Sequence, residues 1–306
     1  MKKDLTKMMD LSSEEILEIL GQADQLKYSQ KHGKDHKLLP GKSLAMIFQK
    51  ASTRTRVSFE VGMYQLGGQA LFLSANDLQI GRGEPIQDTA RTLSRYVDGI
   101  MIRTFAQEDV ENLAKWASIP VINGLTDFAH PCQVLADLMT IRERLSILKD
   151  VKLAYIGDGN NMCHSLVVGG LKCDMHVSIA VPKGYEPHQS ILDFAAQFPK
   201  NFSMSHTPQE AVAGADVVVS DVWASMGQEA EQEIRKRAFS GYQINDELMS
   251  YADKKAFVLH CLPAHRGEEI SAETFEAHAD VIFDEAENRL HAQKAVMSLL
   301  MGKNKC

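Results

Sequence analysis

The sequence has few cysteines, no excess of positive charge and no long apolar run. No stretch of its 306 residues is long and apolar enough to span a bilayer, and the first residues lack a signal-peptide core. Five cysteines without a regular framework predict reduced thiols and a cytoplasmic location. Lysine and arginine number 33 against 40 acidic residues, and this net charge of −7 argues against a general nucleic-acid or membrane partner.

The composition instead predicts a globular α/β protein. Apolar residues make up 44% of the chain, and its length suits two domains of ordinary size. Strand and helix patterns alternate in both halves, which predicts two similar domains, each a parallel sheet flanked by helices. We place the first domain at 1–148 and the second at 149–289, with a last helix within 290–306 packing back on the first. The predicted strands of the second domain include Val281–Phe283.

The polar motifs follow the predicted strands. In open parallel sheets, ligands bind beyond the carboxyl ends of the strands. We therefore expect an active site in a cleft between the domains, built from six motifs, which are Ser52–Arg56, Arg103-Thr104, Asn123 with His130–Gln133, Asp158–Asn161, Asp221–Met226 and His260–Pro263.

The run Ser52-Thr53-Arg54-Thr55-Arg56 is the most informative of these motifs. It follows the predicted strand Leu44–Phe48 and opens a predicted helix. A helix start presents unpaired N–H groups and the positive end of the helix dipole, so it suits a phosphate. Serine and threonine are also ordinary helix caps. Two arginines at an already positive helix end favour an anion site over simple capping.

His130 and the three residues that follow it open another predicted helix. His130 alone would be an exposed cap residue, but with Arg54, Arg56 and Arg103 it becomes a candidate donor to an oxygen that gains negative charge. A His130–Cys132 nucleophile is disfavoured because no third orienting group is evident.

Three motifs of the second half leave alternatives open. Gly157-Asp158-Gly159 resembles a dinucleotide fingerprint but lacks its third glycine. His260, Cys261 and His265 suggest zinc, although a second ligand cluster is missing. Cys261 alternatively has a lowered pKa beside a positive pocket, or is a buried inert thiol. The segment from Asp221 to Gly227 suits an amino acid's ammonium and carboxylate, or is simply a capped loop.

Together these motifs resemble the aspartate/ornithine carbamoyltransferase family over essentially the whole chain. Ser52–Arg56 is similar to its carbamoyl phosphate signature. Further similarity to the ornithine branch lies in His130–Gln133, Asp221 with Ser225-Met226-Gly227, and His260–Pro263. Some members carry lysine in the loop that here contains Arg82.

The resemblance implies transfer of a carbamoyl group from carbamoyl phosphate to L-ornithine in arginine metabolism, without cofactor or metal, in a homotrimer or a multiple of trimers. It implies catalytic roles for Arg103, His130, Asp221 and Cys261. It implies ornithine contacts at Asn161, Asp221, Ser225 and Met226. The carbamoyl phosphate contacts it implies are Ser52, Thr53, Arg54, Thr55, Gln79, Arg103, His130, Pro131, Cys132, Gln133, Cys261, Leu262 and Arg289. A sister transcarbamoylase acting on putrescine or acetylornithine, and a nicotinamide dehydrogenase, stay as alternatives.

Overall fold

The computed structural model describes residues 3–75, 78, 83–224 and 231–302, and it divides into two compact units. The first unit runs to Met139 and resumes at Asn288, and the second comprises Thr140–Glu287. None of the helices in these ranges is long and apolar enough to cross a membrane.

The first unit contains a four-stranded sheet in the order β2-β1-β3-β4, with every pair parallel. Its strands are β1 (Ser43–Phe48), β2 (Gln69–Ser74), β3 (Gly99–Arg103) and β4 (Val121–Leu125). A short 3-10 helix (Met8–Asp10) precedes the helices, which are α1 (Ser13–Lys31), α2 (Thr53–Gln65), α3 (Ile86–Tyr96), α4 (Gln107–Trp116) and the start of α5 (Pro131–Leu145). One core cluster packs the inner strands β1 and β3 against apolar side chains of α3 and α4.

The second unit contains a five-stranded parallel sheet in the order β7-β6-β5-β8-β9. Its strands are β5 (Lys152–Ile156), β6 (His176–Ala180), β7 (Phe202–Ser205), β8 (Val217–Ser220) and β9 (Phe257–His260). Its helices are α6 (Asn161–Lys172), α7 (Gln189–Ala195), α8 (Pro208–Val212), α9 (Gln232–Ala238), α10 (Asp246–Met249) and α11 (Ala272–Ala277). The prediction of parallel sheets flanked by helices is confirmed in both units.

The prediction of a strand at Val281–Phe283 is wrong, because these residues lie in helix α12 (Ala279–Met301). Val281 and Ile282 are buried while Phe283 is 57% exposed, which is the one-sided burial of an amphipathic helix. Three apolar residues in a row cannot distinguish a buried strand from the start of a buried helix. Arg289 is consequently inside a long helix rather than just before one, and it belongs to the first unit.

Candidate active site

The first turn of α2 has the chemistry of an anion site. Ser52 is the N-cap, and its Oγ accepts the Thr55 N–H at 3.2 Å, which leaves the other early N–H groups without a partner inside the helix. No acidic residue lies in this turn. Ser52 and Arg54 are half-buried and Thr53 is exposed. The backbone and the dipole therefore favour a negatively charged ligand at this helix end.

The two arginines of this run have different surroundings. Arg56 donates from Nε to Glu60 Oε1 at 3.1 Å, and its guanidinium lies 3.8 Å from the centroid of the Phe72 ring. Arg54 is close enough to His130 for its charge to act on the imidazole. The prediction that two arginines face the anion is therefore kept for Arg54 alone. Arg56 is exposed and contacts Glu60 and Phe72 instead.

Arg289 approaches the same helix start from α12. Its Nη2 donates to Thr55 Oγ1 at 3.2 Å and its Nη1 donates to Gln133 Oε1 at 2.6 Å. Gln133 is held in turn by a hydrogen bond from its Nε2 to Asp137 Oδ1 at 2.8 Å. Arg289 is only 4% exposed, so this guanidinium adds a desolvated positive charge to the site.

His130 lies where these positive charges converge. Its pKa is well below the ordinary 6.5, first because the ring is buried and then because Arg289, Arg103 and Arg54 repel a second positive charge. Its carbonyl accepts the Gln133 N–H at 3.2 Å at the start of α5. A neutral imidazole donates one N–H without competing for the anion, which suits a carbonyl oxygen that gains negative charge.

A titration of labelled histidines tests this protonation state. We expect the nitrogen shifts of His130 to stay those of a neutral ring from about pH 8 to about pH 6, where an ordinary histidine gains most of its proton. Selective ¹⁵N-histidine labelling measures this, with His130→Gln to assign the signal. A His130 midpoint at the ordinary value would contradict the described environment.

The same depressed pKa has a consequence for stability. The unfolded chain binds a proton at His130 near pH 6.5, whereas the folded protein binds it only at lower pH. His130 therefore lowers the free energy of unfolding as the pH falls below 6.5 towards the folded pKa, and it has no such effect above 6.5. We expect His130→Gln to show a weaker loss of stability in that acidic window, which urea unfolding at a series of pH values measures.

The Cys132 thiol is not suited to act as a nucleophile. It is 1% exposed, and its Sγ donates to Asn123 O at 3.4 Å. Burial raises its pKa to about 12, although the nearby Arg289 charge opposes that rise. Pro131 begins α5 next to it. Pro131 and Cys132 both lie in the first turn of α5, and at neutral pH the Cys132 thiol stays protonated.

The second unit gathers its polar side chains around Asp221, directly after β8. Asp221 is 7% exposed. Its Oδ2 accepts the Asn160 Nδ2 at 2.9 Å, and its Oδ1 accepts the Cys261 Sγ at 3.0 Å and the Val222 N–H at 2.8 Å. Asn160 also caps α6 by accepting the Met162 N–H at 2.9 Å. A carboxylate held in this way at a strand end is a suitable partner for an ammonium group.

The reactivity of Cys261 stays a prediction, and one contact bears on it. The Cys261 thiol donates a hydrogen bond to the Asp221 carboxylate. A hydrogen bond to a carboxylate stabilises the protonated thiol rather than the thiolate. Cys261 therefore supplies a polar contact beside Asp221.

Thiol labelling distinguishes the cysteines. Burial raises the pKa of Cys163 well above 9.0 and that of Cys173 to about 12. With Cys132 also buried, we expect iodoacetamide to modify Cys261, half-buried, before these three. We expect Asp221→Asn to accelerate that reaction, because an amide holds the thiol proton less strongly. Peptide mapping by mass spectrometry gives the rates, and faster labelling of Cys132 would contradict the expectation.

His260 is committed to structural contacts. Its Nδ1 accepts the Leu262 N–H at 2.9 Å, so its Nε2 carries the proton and donates to Glu269 Oε1 at 3.1 Å. Leu262 has a φ of +56°, and this contact fixes the backbone turn after Cys261. Both ring nitrogens of His260 are therefore engaged by protein groups. His265, Glu268 and Glu269 do converge within 4.8 Å, but Glu268 pairs with Lys236 at 3.0 Å.

The dinucleotide interpretation of Gly157-Asp158-Gly159 is wrong on packing grounds. A Cβ at Gly159 would lie 2.4 Å from both Tyr185 O and Pro187 N. The backbone of another loop thus occupies the space where a dinucleotide fingerprint admits a pyrophosphate. Asp158 is also occupied, because its Oδ2 accepts Arg235 Nη1 at 2.8 Å.

Several site residues lie outside the described ranges or were missed. Gln79, Arg82, Ser225 and Met226 lie outside the described residues, and Asn161, 8% exposed, begins α6. Asn160, within the predicted motif Asp158–Asn161, contacts Asp221. Arg235 is not among the predicted site residues. Its Nη1 donates to Trp223 O at 2.9 Å, and burial raises the pKa of its partner Asp158 to about 6 although Arg235 opposes that rise.

The fold and these two groups of side chains define an α/β enzyme that binds small charged substrates. Comparison with known families identifies both units. The model of the aspartate/ornithine carbamoyltransferase carbamoyl-P binding domain matches residues 3–143, and that of the Asp/Orn binding domain matches residues 149–300. The chain therefore belongs to the aspartate/ornithine carbamoyltransferase family.

Similar proteins agree with this membership. An ornithine carbamoyltransferase of Carboxydothermus hydrogenoformans is 57% identical over 304 residues, covering 98% of each chain. An anabolic ornithine carbamoyltransferase of Pyrococcus furiosus is 54% identical, covering 98% of this chain and 96% of its own. A solved structure of the ornithine carbamoyltransferase from Pyrococcus furiosus superposes with a TM-score of 0.95, covering 99% of this chain and 98% of that chain.

Proposed function

We propose that the protein is an ornithine carbamoyltransferase that converts carbamoyl phosphate and L-ornithine to L-citrulline and phosphate. The observation that carries this proposal is the neutral, buried His130 among three arginines beside the start of α2. That arrangement supplies both a dianion cradle and an uncharged donor for a carbonyl oxygen. The relative from Pyrococcus furiosus is described as anabolic, which supports a role in arginine biosynthesis.

The phosphate group is assigned to the start of α2. The hydroxyls of Ser52, Thr53 and Thr55 and the N–H groups of Thr53 and Arg54 hold its oxygens, and the guanidinium groups of Arg54 and Arg289 balance its charge. Gln133 acts with them through the hydrogen bond that it accepts from Arg289. Arg103, 8% exposed at the end of β3, and His130 donate to the carbamoyl oxygen together with Thr55. These donors are strongest on the tetrahedral intermediate, where that oxygen carries negative charge.

L-Ornithine is assigned to the second unit. Asp221 attracts its α-ammonium group, while Asn161, Ser225 and Met226 hold the rest of its α-amino acid head. Cys261 and the Leu262 backbone contact the side-chain amine. An alkyl amine is almost fully protonated at neutral pH, so this amine must lose a proton before it attacks.

The reaction then proceeds by addition and elimination. The neutral amine nitrogen forms a bond to the carbamoyl carbon, whose carbonyl electron pair moves to the oxygen held by His130 and Arg103. As the carbonyl re-forms, the bond from carbon to the phosphate oxygen breaks, and phosphate leaves with its electron pair. The ammonium group gives its first proton to solvent before the attack. The nitrogen is positively charged once its bond to carbon has formed, and its second proton goes to the departing phosphate. No cofactor and no metal enter these steps.

One assay tests the proposal against its nearest alternative. The purified protein is supplied with carbamoyl phosphate and, separately, with L-ornithine, acetylornithine or putrescine. We expect the ureido product to form with L-ornithine at a kcat/KM far above the other two, because Asp221 serves an α-amino acid head that putrescine lacks. Preferred turnover of putrescine or acetylornithine would assign the protein to a sister activity.

We propose a homotrimer in the cytoplasm. The four described cysteines are free, which suits a reducing compartment. The outer face of α2 exposes Val57, Val61 and Tyr64, and the neighbouring strand β2 exposes Leu71 and Phe72. Exposed apolar side chains on neighbouring elements suit association with further copies of the chain. Light scattering should give a multiple of three 34.0 kDa chains, and a monomer mass would contradict the proposal.

A further inference from the structure

Gln293 is a buried residue that nothing in the proposed reaction uses. It lies on α12 four residues after Arg289 and is 0% exposed. Side chains four apart on a helix lie one above the other. With its amide oxygen towards Arg289, Gln293 accepts from Nε at 3.2 Å and from Nη2 at 3.0 Å. One oxygen therefore holds two donors of the guanidinium fork.

The other end of the same amide contacts α2. The amide nitrogen donates to Ser58 Oγ at 2.5 Å, and Ser58 Oγ in turn donates to Arg54 O at 2.7 Å. Gln293 thus links the Arg289 guanidinium to the first turn of the helix whose N–H groups face the anion. The link sets the position of the guanidinium relative to that turn.

The charge of the acceptors matters as much as their geometry. Gln293 Oε1, Gln133 Oε1 and Thr55 Oγ1 are uncharged oxygens. These three acceptors orient the guanidinium and bring no negative charge of their own to it. Arg235 in the second unit shows the opposite arrangement, because Asp158 and Glu231 are both bonded to it. A carboxylate at position 293 would offer Arg289 a competing anion in the same place.

We propose that Gln293 is a positioning residue that orients the Arg289 guanidinium for anion binding. The inference rests on the proposed function only for the identity of the anion, carbamoyl phosphate. Inorganic phosphate, the product of the proposed reaction, is therefore the direct probe, and its binding can be measured without turnover.

The test compares two variants that preserve the side-chain volume. Gln293→Met removes the acceptor, and we expect the Kd for inorganic phosphate to rise about tenfold, the effect of about one lost hydrogen bond to a charged group. Gln293→Glu keeps an acceptor but adds a charge, and we expect a rise of about thirtyfold or more because the carboxylate pairs with Arg289. Isothermal titration calorimetry measures both constants, and the KM for carbamoyl phosphate should rise with them while the KM for ornithine changes little.

Gln65→Glu is the matched control. It makes the same chemical change in the same unit, but Gln65 accepts from Lys294 Nζ at 2.8 Å rather than from Arg289. We expect its phosphate affinity to stay within about twofold of the parent. Ser58→Ala provides a second approach if the Gln293 variants fold poorly, since it removes the other end of the link, and we expect a rise of about threefold in the phosphate Kd.

The outcomes separate this inference from the proposed function. If the parent makes citrulline and well-folded Gln293→Glu and Gln293→Met bind phosphate like the parent, Gln293 is only a packing residue and the inference fails alone. If the parent binds phosphate but makes no citrulline, and the variants lose phosphate affinity, the inference holds and the proposed reaction fails. A rise in the phosphate Kd for Gln65→Glu equal to that for Gln293→Glu would also overturn the inference about Gln293.

Discussion

Replacing Arg54 by alanine should reduce kcat/KM for carbamoyl phosphate by about 10²–10³, the usual effect of removing one preorganised donor from a site of developing charge. Arg54 is half-buried in the first turn of α2, and its charge acts on the His130 ring. Its charge helps to keep the imidazole neutral, and in the proposed assignment it also holds the phosphate. Initial rates of citrulline formation at varied carbamoyl phosphate measure the effect.

Arg56→Ala is the control that the same helix provides. It removes an equal charge two residues away, but Arg56 contacts Glu60 and the Phe72 ring. We expect its kcat/KM to stay within about threefold of the parent, since exposed ion pairs contribute little. Melting temperatures confirm that both variants fold. Equal losses in the two variants would show a general effect of net charge and would remove Arg54 from the cradle.

Replacing Asp221 by asparagine should lower kcat/KM for L-ornithine about a hundredfold or more, because truncating a buried charge partner costs several kcal/mol. The carboxylate accepts from Asn160, Cys261 and the Val222 N–H. In asparagine one of the two carboxylate oxygens is replaced by an NH2 group. That NH2 group is a donor and would face one of the groups that now donate to Asp221. Both the attraction for an ammonium group and the local hydrogen bonding are lost. Initial rates at varied L-ornithine and saturating carbamoyl phosphate give this value.

Asp216→Asn is the corresponding control in the second unit. Asp216 lies just before β8, whereas Asp221 directly follows that strand. The Oδ2 of Asp216 accepts the Lys152 N–H at 2.8 Å. We expect Asp216→Asn to leave the kinetics for L-ornithine within about twofold and to affect stability alone. We also expect Asp221→Asn to bind inorganic phosphate like the parent. A hundredfold loss in Asp216→Asn, or none in Asp221→Asn, would contradict the assignment of Asp221 to ornithine.

Strand β1 was predicted, as Leu44–Phe48, because every residue of that run is buried. β1 and β8 are continuous apolar runs, and such runs need no knowledge of the rest of the chain. Strand β7 was missed because it carries polar side chains at the edge of its sheet, with a half-buried and exposed pattern. The prediction of a strand at Val281–Phe283 was wrong because three residues are too few to distinguish the period of a strand from that of a helix.

The sequence by itself determined the parallel α/β class and the helix start at Ser52, because periodicity, caps and strand ends are local properties. It also determined the family, through motifs that are read in order along the chain. The tertiary structure alone decided which charges meet. It separated Arg54 from Arg56, joined Asn160 and Cys261 to Asp221, and placed Arg289 against Thr55 and Gln293. Contacts such as that of Thr55 with Arg289, 234 positions apart, depend on how helices pack, and no local pattern in the sequence encodes that packing.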